Sequence, residues 1–503
     1  MAIPVLLVFS SCKTTKMVPE GKYLLVKNKL KTSDSGNTIF NQVLSKLDDD
    51  KALYIKHKPN RNIFVLGRFH LGMYNFFSSK RKPEKNETNK LRKFFRERGE
   101  APILLDTNEI LKSEINLKNY LFSKGYYNCE ITHAIKYRKK KAVVTYFIIP
   151  NYPYLIDKVN LAADDAEIDE LLNSNLDSTL FIKGMPIDVE IITAERNRIT
   201  NVLRNRGYFE FGKDYIDFEL DTNINLHTVT VNISVANKAE NERFMRKSIR
   251  HIDIYFENDS ETYKEQAPVR FKDITFHFNG FPINPDVIAK NITIKEGDIF
   301  KLKELENTYA KLSEFPIFKF IDINYYNTPE DSINGLNAMI ILKTNYRQSF
   351  TIEPQTIMSQ LNRIQNINYG NSYGIANSMT WSHRNLFRNA EVFEVSSNTR
   401  LETQLYRDTN SSKLKYFNPA IQQSFSMSLS MPRSSLLGFL QNQDLFKGRL
   451  KNLYLKDRIK SIKTNIILSF LFEKNPDYLR RILPLTYQYQ IQTRTSTWYF
   501  NLF

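Results

Sequence analysis

Apolar and polar positions divide the chain into helix-like and strand-like stretches that recur in one order. TNEILKSEINLKNYL (107–121) and PIDVEIITAERNRITNVL (186–203) carry apolar residues three and four apart, the period of a helical face. Each runs into nearly the same phrase, LFSKGYY at 121–127 and LRNRGYF at 203–209. Two alternating runs follow each phrase, the period of strands: CEITHAIKY and AVVTYFII after the first, DYIDFEL and HTVTVNISV after the second. A third copy is weaker. ELENTYAKLSEFPIF (304–318) ends its helix on Phe-Pro instead of Gly-Tyr, and FKFIDINYY and LNAMIILK follow. Each copy opens with a strand, YLLVKNKL, YLIDKVNL or HIDIYFE. The predicted unit is strand, helix, helix, strand, strand, an α+β arrangement with two helices on one face of a small sheet.

The repeated phrase has a local cause. Gly125 and Gly207 can take positive φ and end a helix. The aromatics after them, Tyr126 and Tyr127 or Tyr208 and Phe209, are expected to plug the gap between helix and sheet. The first unit carries an insertion at 60–102 with a Lys-rich helix, and the third another at 258–285 containing RFKDITFHF; both are expected to be extensions of helix or strand.

After about residue 346 the period changes. QSFTIEPQTIMSQ, SFSMSLSM, SIKTNIILSFLF and LTYQYQIQT alternate small or polar with apolar residues. Such segments predict an antiparallel transmembrane β-barrel, polar inside and apolar towards lipid; a soluble β-sandwich gives a similar pattern and is the alternative. About eight strands fit into residues 346–503. An unclosed barrel leaves unpaired edges in lipid, so the chain is expected to be the first part of a longer barrel. The other choice is a small closed barrel with Phe503 as a sorting signal.

The first twelve residues, MAIPVLLVFSSC, are too short to span a bilayer and have the form of an export signal. They resemble a bacterial lipoprotein signal in which Cys12 carries the lipid, although Phe9 replaces an aliphatic residue and no basic residue precedes the apolar run. An ordinary first strand with a buried cysteine is the alternative. The only other cysteine, Cys129, is placed in a strand, and two cysteines exclude a disulfide scaffold or thiolate zinc site.

At 503 residues the chain has room for three or four domains of about 100–200 residues each. The boundaries fall at 19–152, 153–238, 248–345 and 346–503, after a signal at 1–12. A net charge of +17 raises nucleic acid as a partner, but the charge is dispersed and no nucleic-acid motif is present; anionic lipid explains it as well. The densest basic cluster, KYRKKK at 136–141, is expected at a solvated hairpin tip. There is no GxGxxG, P-loop, HExxH or GxSxG, and none of the seven histidines pairs at metal-ligand spacing. Catalysis and cofactors therefore have no sequence support.

The tandem units resemble POTRA (polypeptide-transport-associated) domains. WSHRNLFRNAE (381–391), with Arg384, Asn385, Leu386, Phe387, Arg388, Ala390 and Glu391, resembles the first barrel hairpin of the outer-membrane insertase superfamily of BamA and TamA. Asn389 stands where the family has glycine, and Asn also tolerates left-handed backbone. The family's Arg-Gly-aromatic loop, which belongs to the second half of its barrel, is missing from residues 346–503; the Arg-Gly-Tyr at 206–208 is part of the second helix-end phrase. With Cys12 ahead, the chain most resembles the lipid-anchored TamL branch. The resemblance implies periplasmic modules that receive unfolded outer-membrane clients, a TamB-like partner spanning the periplasm, contact with outer-membrane lipid, and a first barrel strand that opens sideways. By position that strand holds Phe350, Ile352 and Pro354, and Pro354 lacks a backbone donor.

Overall fold

The computed structural model describes residues 14–33, 38–63, 67–78, 90–239, 242–257, 267–278, 283–327, 334–360, 371–407, 414–416, 420–432, 459–475, 478–493 and 496–501. Cys12 and Phe503 lie outside these residues. The chain divides into two compact units, Met1–Thr200 with Gly212–Arg243, and Asn201–Phe211 with Phe244–Phe503.

The first module runs β1 (Leu24–Thr32), α1 (Thr38–Asp49), α2 (Lys51–Tyr54), α3 (Phe69–Phe77), α4 (Lys90–Arg98), α5 (Thr107–Ser123), β2 (Glu130–Arg138) and β3 (Lys141–Ile149). β1 pairs parallel with β3 and β2 antiparallel with it, in the order β1-β3-β2. The strand begins one residue after Cys129, so that cysteine is a buried loop residue and not a strand residue. The basic tip between β2 and β3 turns through Lys139 at positive φ.

The second module repeats the scheme with β4 (Leu155–Ala163), α6 (Ala166–Asn173), α7 (Val189–Arg204), β5 (Ile216–Asn223) and β6 (Thr228–Val235), ordered β4-β6-β5. The third has β7 (Ser248–Glu257), β8 (Val269–Phe271), β9 (Ile274–His277), α8 (Pro285–Ala289), α9 (Leu302–Ser313), β10 (Phe318–Tyr326) and β11 (Gly335–Thr344). Its sheet is ordered β10-β11-β7-β9-β8, so the insertion has become two strands added beside the opening strand.

A shared irregularity marks the three as one design. Each opening strand skips a partner near its start, between Leu25 and Lys27, between Ile156 and Lys158, and across Arg250. A one-residue bulge at the same place in each strand sharpens the local twist. The cores follow the periodicity. Leu25, Ile110, Leu117, Tyr126, Val144 and Ile148 pack in the first module, and Ile252, Ile254, Phe276, Phe300, Leu312 and Ile340 in the third. Each such side chain contributes about 1.5–3 kcal/mol on burial.

The last third is one antiparallel sheet of β12 (Gln348–Gln360), β13 (Asn371–Arg384), β14 (Val392–Arg407), β16 (Ala420–Pro432), β17 (Ile459–Lys474), β19 (Leu485–Thr493) and β20 (Thr497–Asn501). The short strands β15 (Leu414–Tyr416) and β18 (Leu479–Ile482) flank β14 and β17. Among the described residues the sheet is open, with β12 and β20 at its two ends; a closed barrel is not formed by them. No described helix is long and apolar enough to cross a membrane.

Candidate functional site

The Gly-Tyr-aromatic turns sit where one module meets the next. Gly125 has φ +84 and Gly207 φ +104, the left-handed region open to glycine. The carbonyl of Gly125 accepts from the Tyr154 amide at 3.0 Å, and the Tyr154 carbonyl accepts from Ile187 at 3.0 Å. The second junction repeats the relay, with Gly207 accepting from Lys247 and Lys247 from Phe300, both at 2.9 Å.

The two aromatics of each turn have different surroundings. Tyr126 is in the first module's core, edge-on to Phe40. Tyr127 lies edge-on to Phe122 of its own helix, centroids 4.5 Å apart, and also tilts against Tyr154 of the second module at 5.2 Å. At the second junction Tyr208 is fully buried, and Phe209 lies against Phe300 and Tyr325 of the third module's core. In each pair the first ring is buried, and the second also meets a ring from further along the chain.

Charge and capping complete each joint. Asp188 caps α7 by accepting from the Glu190 amide at 2.8 Å. Lys124, 7 % exposed, reaches from the first module to Asp188 Oδ2 and Glu190 Oε2, both at 2.9 Å, and Lys46 meets Glu190 at 3.2 Å. Burial alone would lower the Lys124 pKa, but the hydrogen bonds to Asp188 and Glu190 hold it above its ordinary value. The same bond from Lys124 depresses Glu190. At the second joint the N-cap position is Lys301, which cannot accept. Asn205, from the end of the preceding module, accepts from the Lys303 amide at 2.8 Å and caps α9 in its place. Lys124, Asp188, Asn205 and the receiving residues Ile187 and Phe300 escaped the sequence reading. The signal for them was a second pair of glycines, Gly184 and Gly297, each three residues before Ile187 or Phe300.

The hairpin between β13 and β14 is a second joint. Asn385, Arg388 and Ala390 are left-handed, with φ of 65, 66 and 60. Asn389 is not among them, so the left-handed positions flank the residue that replaces the family glycine. The buried Glu391 carboxylate accepts from the amides of Phe387 and Asn389, and Asn385 accepts from Ala390 at 3.0 Å. These bonds hold a strained turn closed. Ala390 lies inside the third module's core, and the Arg388 carbonyl accepts from the amide of Asn284, the N-cap of α8, at 2.9 Å. Arg384 reaches back to the Tyr346 carbonyl and to Ser349. Leu386 and Phe387 are exposed.

The sheet beyond this hairpin has two unlike faces. Register places Thr351, Thr380, Ser396, Ser426 and Ser469 side by side across five strands, and Ser396 and Ser426 share a hydrogen bond of 2.7 Å. The neighbouring rows on the other face read Phe350, Trp381, Val395, Met427, Leu468 and Leu485, and Ile352, Met379, Ser397, Phe425 and Phe470. Phe425 and Met427 are 49 % and 51 % exposed, and Phe350, Ile352, Leu468 and Leu485 are exposed with them. Glu353, Gln355, Ser378, Asn398, Arg400 and Gln422 line a recess of about 380 Å³ on the polar side. Pro354, opposite Asn377, is in β12, which has one partner strand among the described residues. Among the described residues, no group of three His, Cys, Asp or Glu side chains could hold a metal.

No protein-family model matches the chain, and no curated protein matches it. Several solved structures are similar in fold. POTRA domains 3–5 of BamA from Haemophilus influenzae are 13 % identical, with 65 % of this chain and 99 % of that one covered and a TM-score of 0.32. BamA from Haemophilus ducreyi lacking POTRA domains 1–3 is 12 % identical, with 67 % and 60 % covered and a TM-score of 0.32. CdiB from Acinetobacter baumannii is 10 % identical, with 67 % and 59 % covered and a TM-score of 0.25. The chain thus spans about three-fifths of the latter two proteins. Likenesses of this size decide neither family nor activity.

Proposed function

We propose that the chain is an outer-membrane protein assembly or translocation factor, anchored by a lipid on Cys12. Its periplasmic modules take up client segments, and its long-stranded sheet forms part of a membrane wall from which clients pass sideways into the bilayer. The observation that carries this reading is the sheet's apolar face. Ladders of Phe, Met, Ile and Leu stand exposed, while the opposite face is lined with hydroxyls and charges. A soluble sandwich would cover such a face; lipid covers it in a membrane wall.

The edges β2, β5 and β10 have one partner each among the described residues, and each offers main-chain groups to an added strand of any sequence. The hairpin docked through Ala390 and Asn284 makes the third module and the sheet one packed body, so a segment bound on β10 is held near the start of β12. A TamB-like partner and outer-membrane lipid complete the proposed setting.

Depletion of the protein in its bacterium should lower the amount of folded outer-membrane barrels, read as heat-modifiable bands, while the protein itself resists carbonate extraction. Unchanged folded barrels would sink the assembly role. Release by carbonate would instead point to a soluble periplasmic binding protein.

A further inference from the structure

The first module's insertion is not a plain extension. Its helices α3 and α4 pack together, with Phe77 and Phe95 stacked at 4.9 Å and Gly99 so close to Tyr74 that a Cβ would lie 2.7 Å from its backbone nitrogen. The pair leaves three phenylalanines outward, Phe76 and Phe94 at 47 % exposure and Phe95 at 37 %. Around them α4, KLRKFFRER, carries five basic residues against one acidic. Arg98 lies over the Phe94 ring at 3.7 Å, which keeps a cation beside an exposed aromatic. A soluble surface gains nothing from exposed phenylalanines, whereas interfacial helices combine a basic face with bulky apolar side chains.

The N-terminal segment is tied to the same place. Asn75 donates to the Thr14 carbonyl at 3.0 Å, Lys16 reaches the carbonyls of Asn75 and Ser78 at 2.7 and 3.0 Å, and Val18 is fully buried with Leu71. Thr14 follows Cys12 by two residues, and two residues span at most about 7 Å.

We infer that α3 and α4 form a peripheral docking surface for an anionic bilayer, with Phe76, Phe94 and Phe95 entering the headgroup region and Lys90, Arg92 and Lys93 meeting the lipid phosphates. The inference deepens the lipid-anchor reading: an acyl chain on Cys12 would leave no linker, so the first module would lie directly on the membrane. The surface does not need that lipid to act, which separates the two claims.

The test uses the full chain with an environment-sensitive fluorophore on Phe95→Cys, reconstituted into vesicles of phosphatidylethanolamine and phosphatidylglycerol with a spin-labelled lipid quencher. The same fluorophore on Asp48→Cys of α1 serves as the control. Lipid should quench the label at 95 far more strongly than the label on α1, and Cys12→Ala should leave part of that quenching. Lys90→Gln, Arg92→Gln and Lys93→Gln should each weaken the contact about fivefold. Because all are exposed positions, Phe94→Ser serves as an independent variant and should also lower the quenching. If position 95 stays open to aqueous iodide and unquenched by lipid, the docking surface is refuted, whether or not Cys12 takes up acyl label. Equal quenching in purely phosphatidylcholine vesicles would refute the charge-based recognition.

Discussion

Gly125 and Gly207 look interchangeable in the sequence, since each ends a helix and precedes two aromatics. Their surroundings differ in one respect. A Cβ on Gly125 would lie 2.7 Å from the carbonyl oxygen of Ile187, a backbone atom of the residue whose amide completes the junction relay, while one on Gly207 would lie 2.6 Å from Ile299 Cγ2, the end of a side chain. Both substitutions carry the left-handed penalty of about 1 kcal/mol. Only the second clash can be relieved by trimming the neighbour. Gly125→Ala should therefore destabilise the fold by about 2–4 kcal/mol in denaturant titration, uncorrected by Ile187→Ala. Gly207→Ala should cost less and regain stability with Ile299→Ala. Equal rescue at both positions would show that the two turns are held in the same way.

Among the elements, α7 and α9 begin alike but are capped from different modules. Asp188 caps α7 from within, and Asn205 caps α9 from the module before it because Lys301 offers no acceptor. Removing an N-cap acceptor costs about 1 kcal/mol. Asn205→Ala should thus speed hydrogen exchange of the Lys303 amide about fivefold while leaving the first turn of α7 unchanged. An unaltered Lys303 amide would mean that water or another group caps that helix. The helices themselves were legible from their apolar period, and the turns from Gly-Tyr. The joints were not, because Asn205 and Lys303 are far apart in sequence and no local pattern links a polar residue to a distant helix end. The weak third copy follows the same logic. Phe315 fills the buried place after α9, but the left-handed turn is gone, and the chain enters β10 directly through Pro316 and Ile317.

At the scale of the whole molecule the alternation in SFSMSLSM foretold two faces but not which of them would be covered. Period alone cannot decide this, since a sandwich and a membrane wall share it. The register assigns the residues to faces: Ser426 lies in a ladder of hydroxyls and Phe425 in a ladder of exposed apolar residues, one position apart on β16. A charge at the two positions should then have opposite fates. In the proposed membrane wall, Phe425→Lys places an ammonium on the lipid side at a cost of about 2–4 kcal/mol near the bilayer midplane, whereas Ser426→Lys points towards the polar face. The first variant should fall out of the membrane fraction and lose any heat-modifiable band, and the second should keep both. Were that face bathed in water, Phe425→Lys at an already half-exposed position would be harmless. Full membrane recovery of Phe425→Lys would therefore remove the apolar ladder as evidence for a membrane wall.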